Sequence, residues 1–234
     1  MKLAIIPARG GSKRIPNKNI ISFFGKPMMS YAIDAAKKSN IFDHIHVSTD
    51  SKEVARVAAK LGCPVDFFRD DSLADDFTGL LPVIQWVVEQ YIQRGDVYDE
   101  ICCIMPCSPL LQYSDIVNAF TIFEENNKKK PLLVFAKYPV PIDWAFLKSE
   151  DGLMHAKKPK MLLERSQDLE SSYYECGPFS IWKKEHLYDE STFSQGVLSY
   201  VLPPDRAIDI DTEEDLDRAK HMYQIIYGNK DENI

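Results

Sequence analysis

The stretch that most limits how this chain can fold is its start, Met1–Asn19, which reads MKLAIIPARGGSKRIPNKN. Leu3, Ala4, Ile5 and Ile6 make an apolar run inside Lys2–Pro7, short enough for a strand buried on both faces. Past Pro7 come Gly10 and Gly11, and around them Arg9, Lys13, Arg14 and Lys18, four cations within ten residues. Adjacent glycines let the backbone approach a ligand and present several N–H donors at once. The pattern predicts a phosphate cradle at the carboxyl end of a first strand, where open α/β sheets bind ligands. A solvated basic turn is the plain alternative. Two common phosphate motifs are excluded. Walker A needs Gly-Lys after a four-residue gap, where this chain has Ile15-Pro16, and the dinucleotide motif needs spaced rather than adjacent glycines.

The rest of the chain bounds the answer further. Its 234 residues, 45% hydrophobic, suffice for one α/β domain with a sizeable core. A net charge of −7 argues against a nucleic-acid or membrane partner, so the basic start stands out locally. No stretch of about 18 apolar residues predicts a membrane span, and the immediate strand leaves no room for a signal peptide. Cys63, Cys102, Cys103, Cys107 and Cys176 lack zinc spacing and are odd in number, which fits reduced thiols in a cytoplasmic protein.

Helices are expected at Met28–Lys38, Ser51–Leu61, Leu80–Gln93, Ser114–Glu125 (capped by Ser114) and Thr212–Tyr227. Strands are expected at His44–Ser48, Val65–Phe68, Glu100–Met105, Leu132–Ala136, Phe179–Trp182 and Val197–Leu202, with a short helix at Lys183–Leu187. This alternation predicts a Rossmann-like, mostly parallel sheet flanked by helices. Lys137–Ser172 breaks the rhythm with prolines and the aromatics Trp144 and Phe146. It reads as an extended insertion in a single domain spanning residues 1–234. Near its end, Arg165 has the bidentate chemistry a sugar carboxylate needs, although a local pair with Asp168 or Glu164 is the simpler alternative.

A second chemical pole lies at Ala207–Thr212. Alternation puts Ile208 and Ile210 on one face and Asp209 and Asp211 on the other. Close like charges repel unless a cation lies between them, and Mg²⁺ suits one or two carboxylates completed by phosphate oxygens. The modest alternative is that Asp211 or Thr212 only caps the helix that follows.

Pro7-Ala8-Arg9-Gly10-Gly11-Ser12-Lys13, with Pro16, Lys18 and Asn19, resembles the N-terminal signature of the cytidylyltransferases that activate sialic acids and related nonulosonic acids. Asp209-Ile210-Asp211-Thr212 matches that family's Asp-Ile-Asp-Thr, so the resemblance covers nearly the whole chain. It implies a sheet of the nucleotide-diphospho-sugar transferase type. It implies CTP bound by Ala8, Arg9, Gly10, Gly11, Ser12, Lys18 and Asn19, with Mg²⁺ on Asp209 and Asp211. Arg69–Gly79 resembles the loop that holds the cytosine ring, carrying over Arg69, Asp76 and Thr78, with Asp70 in place of the usual proline.

Met105–Leu111 resembles Gln-Pro-Thr-Ser-Pro-Leu-Arg, departing at Met105 and Leu111, and puts Met105 and Ser108 near the sugar. Arg165, Gln167, Tyr174 and Gly177 are further sugar contacts on the resemblance. The run Tyr174–Pro178 departs from the usual His-Asp-Ala-Gly-Gln. The loop Ala74–Gly79 and the run Arg165–Glu170 look like the pseudaminic acid branch.

The implied reaction is attack by a nine-carbon sugar acid on the α-phosphate of CTP, with Arg9, Lys18 and Asp211 catalytic, serving a bacterial surface glycan or flagellin. No side chain stands out as general base. The insertion becomes the arm of a homodimer. Rival readings are an N-acetylneuraminic or legionaminic acid enzyme and, from another class, an inactive nucleotide-binding regulator.

Overall fold

The computed structural model describes residues 1–228. The last six positions of the expected domain lie outside them. β1 (Lys2–Pro7) begins the chain as expected. A small β2–β3 hairpin (Ser22–Phe23, Lys26–Pro27) leads into α1 (Met29–Ser39). β4 (His44–Ser48) and α2 (Lys52–Lys60) follow, the helix capped by the Ser51 hydroxyl accepting the Val54 N–H. α3 (Leu80–Gln93), β5 (Glu100–Ile104), α4 (Tyr113–Glu125) and β6 (Leu132–Lys137) complete the regular half.

Beyond β6 come the short strands β7 (Phe146–Lys148) and β8 (Met154–Ala156), then the long β9 (Tyr173–Lys183), β10 (Leu198–Leu202) and α5 (Glu213–Tyr227). Six strands make one sheet in the order β10-β6-β9-β5-β1-β4. β1 pairs in parallel with β4 and β5, and β10 with β6, while β9 runs antiparallel to both its neighbours. The sheet is therefore mixed and mostly parallel.

β1 is buried on both faces because helices cover both. Ala4 and Ile6 pack with Met29, Ala32 and Ala36 of α1 and with Ile116 and Phe120 of α4. Leu3 and Ile5 pack with Ile84, Val87 and Val88 of α3. The chain leaves β1 toward β4 on one side and returns to β5 on the other, so a crevice opens at the carboxyl end of β1. A third apolar cluster, with Ile208, Ile210 and Leu216, seats the start of α5 against Ile15 and Phe23.

Two expectations fail here. Val65–Phe68 forms no strand. Asp66 turns its carboxylate inward to His44 Nε2 (2.7 Å), His46 Nδ1 (3.4 Å) and the Tyr91 hydroxyl (2.5 Å), so a side chain rather than a backbone ladder ties the segment down. These donors hold the Asp66 carboxyl far below the usual range, led by His46. Ser114 is not the cap of α4. Gln112 is, its backbone N–H donating to Asp115 Oδ2 at 2.9 Å.

The insertion between β6 and β9 carries three short 3-10 turns, Ile142–Trp144, Pro159–Leu163 and Ser166–Asp168, besides its two strands. β7 and β8 pair only with each other, and none of residues 138–172 joins a buried apolar cluster among the described residues. No described helix is long and apolar enough to cross a membrane.

Candidate active site

β1 delivers Pro7 to the crevice, and the next residues are tied from below. The buried Ala8 donates its N–H to Ser48 O (2.9 Å), and Gly10 donates to Asp50 Oδ1 (2.9 Å). A Cβ at Gly10 would lie 2.8 Å from Ser51 Cβ at the start of α2, so this position needs glycine. Gly11 has no atom within 4 Å of the same place. The N–H groups of Arg9, Gly11, Lys13 and Arg14 have no protein acceptor among the described residues, so part of the expected row of free amides remains. Ala8, Gly10 and Ser12 spend their N–H groups on the protein, Ser12 on Gly10 O at 3.1 Å, so cationic side chains dominate the face of the loop. Asn19 is a buried brace that donates to Arg9 O (2.8 Å) and accepts from the Cys107 thiol (3.2 Å).

A cavity of about 250 Å³ fills the crevice. One wall carries Arg9, Ser12, Lys13, Arg14 and Lys18; another carries Asp209 and Asp211; Met105, Ser108 and Gly177 close the third. The two chemical poles, far apart in sequence, thus share one space. Lys18 Nζ donates to Ile210 O (2.5 Å) and Asp211 Oδ1 (3.0 Å), while Arg14 Nη1 holds Asp211 Oδ2 (3.0 Å). The predicted alternation holds, with Ile208 and Ile210 buried and the carboxylates turned to the cavity. Thr212 caps α5 by accepting the Asp215 N–H, which leaves Asp211 free of that duty. Desolvation, with the Asp211 charge beside it, pushes the Asp209 carboxyl up.

Such a pair gains from a cation. Among the described residues no three His, Cys, Asp or Glu side chains converge to hold a metal. The donor set therefore fits Mg²⁺ completed by phosphate oxygens and water rather than a closed protein cage.

The remaining predicted residues divide. Arg9 Nη1 reaches Asp76 Oδ1 and Asp75 O, each at 2.8 Å, and Lys13 pairs with the other Asp76 oxygen. Arg69 is buried at the end of β4, donating to Ser48 O (2.7 Å) and Ser48 Oγ (3.1 Å), so it braces the strand and does not line the cavity. Thr78 donates its N–H to Asp75 Oδ1 (2.6 Å) within its own loop. Tyr174 lies in a neighbouring depression with Asp209 and Arg218. Arg165 and Gln167 lie on the arm outside the cavity, with Arg165 Nε paired to Asp168 Oδ2 (2.6 Å). Leu111 belongs to the core beneath α4 and does not line the cavity, so its departure from the family's arginine leaves the cavity wall unchanged.

Sequence reasoning missed two features. Arg14 stands at the acidic pole, signalled only by the density of cations around it. Beyond Met105 and Gly177 lies an apolar annex of about 170 Å³ lined by Leu81, Leu133, Phe179, Trp182 and Phe193, with Glu175 at its edge. Gly177 takes the left-handed conformation (φ +65°) where the pairing of β9 with β6 shifts register, which aims Glu175 there. No local sequence signal marks that bulge. The Cys107 thiol is pushed up to about 12 by burial, which removes it as a nucleophile.

Comparison with known proteins agrees with this geometry. The family described as Cytidylyltransferase matches residues 3–231. The chain is 38% identical to the pseudaminic acid cytidylyltransferase of Campylobacter jejuni, over 95% of this chain and 96% of that protein. It is 30% identical to the CMP-N,N'-diacetyllegionaminic acid synthase of Legionella pneumophila, over 91% and 92%. In fold it is similar to the CMP:2-keto-3-deoxy-manno-octonic acid synthetase solved with CTP, at a TM-score of 0.70, 14% identity, and 96% and 99% coverage.

Proposed function

Since the chain belongs to the cytidylyltransferase family, we propose that it transfers CMP from CTP to pseudaminic acid, a nine-carbon sugar acid, and releases pyrophosphate. The observation that carries this reading is the single cavity in which a basic loop and an aspartate pair face a wall formed by Met105 and Gly177.

The anomeric hydroxyl loses its proton to solvent and attacks the α-phosphorus, a new P–O bond forms, and the bond to the β-phosphate oxygen breaks with pyrophosphate leaving. Arg9, Lys13 and Lys18 bind the phosphates and neutralise the charge that grows on the leaving group. Held between buried braces, the loop keeps these cations in place, so little reorganisation accompanies the reaction. Asp209 and Asp211 would hold Mg²⁺, which would supply further charge neutralisation and acidify a bound hydroxyl. Arg14 and Lys18 hold the Asp211 carboxylate oriented toward the cavity.

Choice of sugar follows from the apolar wall. A site that bonds a hydroxyl rejects an analogue lacking it, and an apolar wall strands a hydroxyl that needs a partner. Met105 and the annex behind it favour a sugar carrying acylamino and methyl groups over a more hydroxylated one. A homodimer completes the proposal. Leu147 (59% exposed), Met154 (61%) and Leu163 (90%) leave the arm with an apolar surface that a second copy would cover, bringing Arg165 and Gln167 to the partner's cavity. The cytoplasm, which keeps thiols reduced, suits the five buried cysteines.

Pyrophosphate release from CTP with pseudaminic, legionaminic and N-acetylneuraminic acids tests the reading. kcat/KM is expected to favour pseudaminic over N-acetylneuraminic acid by at least about 10²-fold. Equal turnover of N-acetylneuraminic acid would sink the sugar assignment. No pyrophosphate with any of them would leave a nucleotide-binding regulator.

A further inference from the structure

The four cations of the loop are all engaged, two by each of two carboxylates. Asp211 takes Arg14 and Lys18 at the root of α5, where Lys18 is anchored as well to Ile210 O. Asp76 takes Arg9 and Lys13, one on each oxygen. The two carboxylates differ in what holds them. Asp211 follows the fully buried Ile210 and precedes a capped helix. Asp76 sits on the segment 70–78, in which no residue is buried and Phe77 at the tip is 94% exposed.

The other hydrogen bonds of that segment are internal. Asp70 accepts from Ser72, and Asp75 accepts from Phe77 and Thr78. Among the described residues, its hydrogen bonds and ion pairs to the crevice run through Arg9 and Lys13. Arg9 Nη1 meets Asp76 Oδ1, Asp75 O (each 2.8 Å) and Ala74 O (3.4 Å).

We infer that Asp76 is an internal stand-in for nucleotide phosphate: its two carboxylate oxygens occupy the two cations that a phosphate group would take, and nucleotide binding displaces it. The inference rests on the reading of this loop as a phosphate cradle. Two charge-assisted contacts to two oxygens copy what a terminal phosphate offers, with about half to two-thirds of its charge. Exposed ion pairs shift an equilibrium only a few-fold, so a polyanion outcompetes Asp76 easily. While bound, Asp76 keeps Arg9 and Lys13 from repelling each other and holds both in place. Its release frees the segment that carries Thr78, so phosphate binding and loop release are one event. The cost of displacement lowers the apparent affinity for any phosphate by the fraction of molecules in which Asp76 is seated.

Inorganic tripolyphosphate, which has no base or sugar to contact the loop, is the probe. Its binding is measured by calorimetry on the full chain, with Asp76→Asn compared with Asp71→Asn. Asp71 lies in the same segment and makes no side-chain bond, so the second variant removes the same charge without releasing Arg9 or Lys13. Thermal melting confirms that both variants fold. Asp76→Asn is expected to bind about fivefold more tightly than the parent and Asp71→Asn within about twofold of it. Unchanged or weaker binding by Asp76→Asn overturns the inference. An equal gain in both variants overturns it too, since that is a general field effect. Failure of the parent and both variants to bind overturns the cradle reading, and the stand-in with it.

Discussion

Lys18 and Arg165 are both cations expected at the substrates, and the protein holds them in contrasting ways. Lys18 is 20% exposed and bonds to Ile210 and Asp211, far away in sequence, so its place depends on the whole fold. Arg165 is 73% exposed and bonds to Asp168, three residues on, so its place depends on one turn. The same contrast separates the crevice from the arm. Ala8 and Asn19 beneath the loop are buried, while β7 and β8 pair only with each other under open apolar side chains. The crevice assembles nucleotide chemistry within one chain. The arm, where sugar recognition is proposed, joins no buried apolar cluster among the described residues.

If the crevice is the reacting centre, its substitutions should outweigh those of the arm. The largest loss is expected from Asp211→Ala: several kcal/mol of transition-state stabilisation, on the order of 10³-fold in kcat, with an unchanged melting temperature because Thr212 still caps α5. Near-normal turnover in Mg²⁺ would remove Asp211 from the site. Arg9→Ala should cost on the order of 10²-fold in kcat/KM for CTP. An effect confined to sugar-acid KM would mean that Arg9 faces the other substrate.

Arg165→Ala should do the reverse, raising sugar-acid KM by about 10- to 100-fold, the value of a charged hydrogen-bonding group, while leaving the KM for CTP unchanged. The smallest effect is expected at Gly11→Ala on melting temperature, which should stay at the parent value, since no protein atom lies near its Cβ position. Gly10→Ala, with Ser51 at 2.8 Å, should lower both activity and melting temperature, and equal behaviour of the two glycine variants would contradict the packing described for the loop.

The crevice was largely legible in the sequence because its signals are local. An apolar run ending in Pro7, a cationic loop, and Ile-Asp alternation each fix their own geometry, and α3 has the expected bounds, Leu80–Gln93. What was not legible depends on distant partners. Asp66 cancels a strand through His44, His46 and Tyr91. The reversed direction of β9 is set by its neighbours β5 and β6. The pairing of Asp76 with Arg9 and Lys13 has no sign in the sequence, because the partners lie far away in the chain. Arg69 has the right residue type for a ligand, yet Ser48 claims it.

The division of labour between crevice and arm is tested most directly by mixing two crippled chains, Asp211→Ala and Arg165→Ala, after unfolding and refolding them together at limiting sugar acid. If the arm serves the partner's cavity, each mixed dimer holds one intact site, because one chain supplies Asp211 and the other Arg165. Half of the dimers are mixed, so about a quarter of the parent rate should return. If Arg165 serves its own chain, or serves no site, the mixture will show no more activity than the average of the two variants alone.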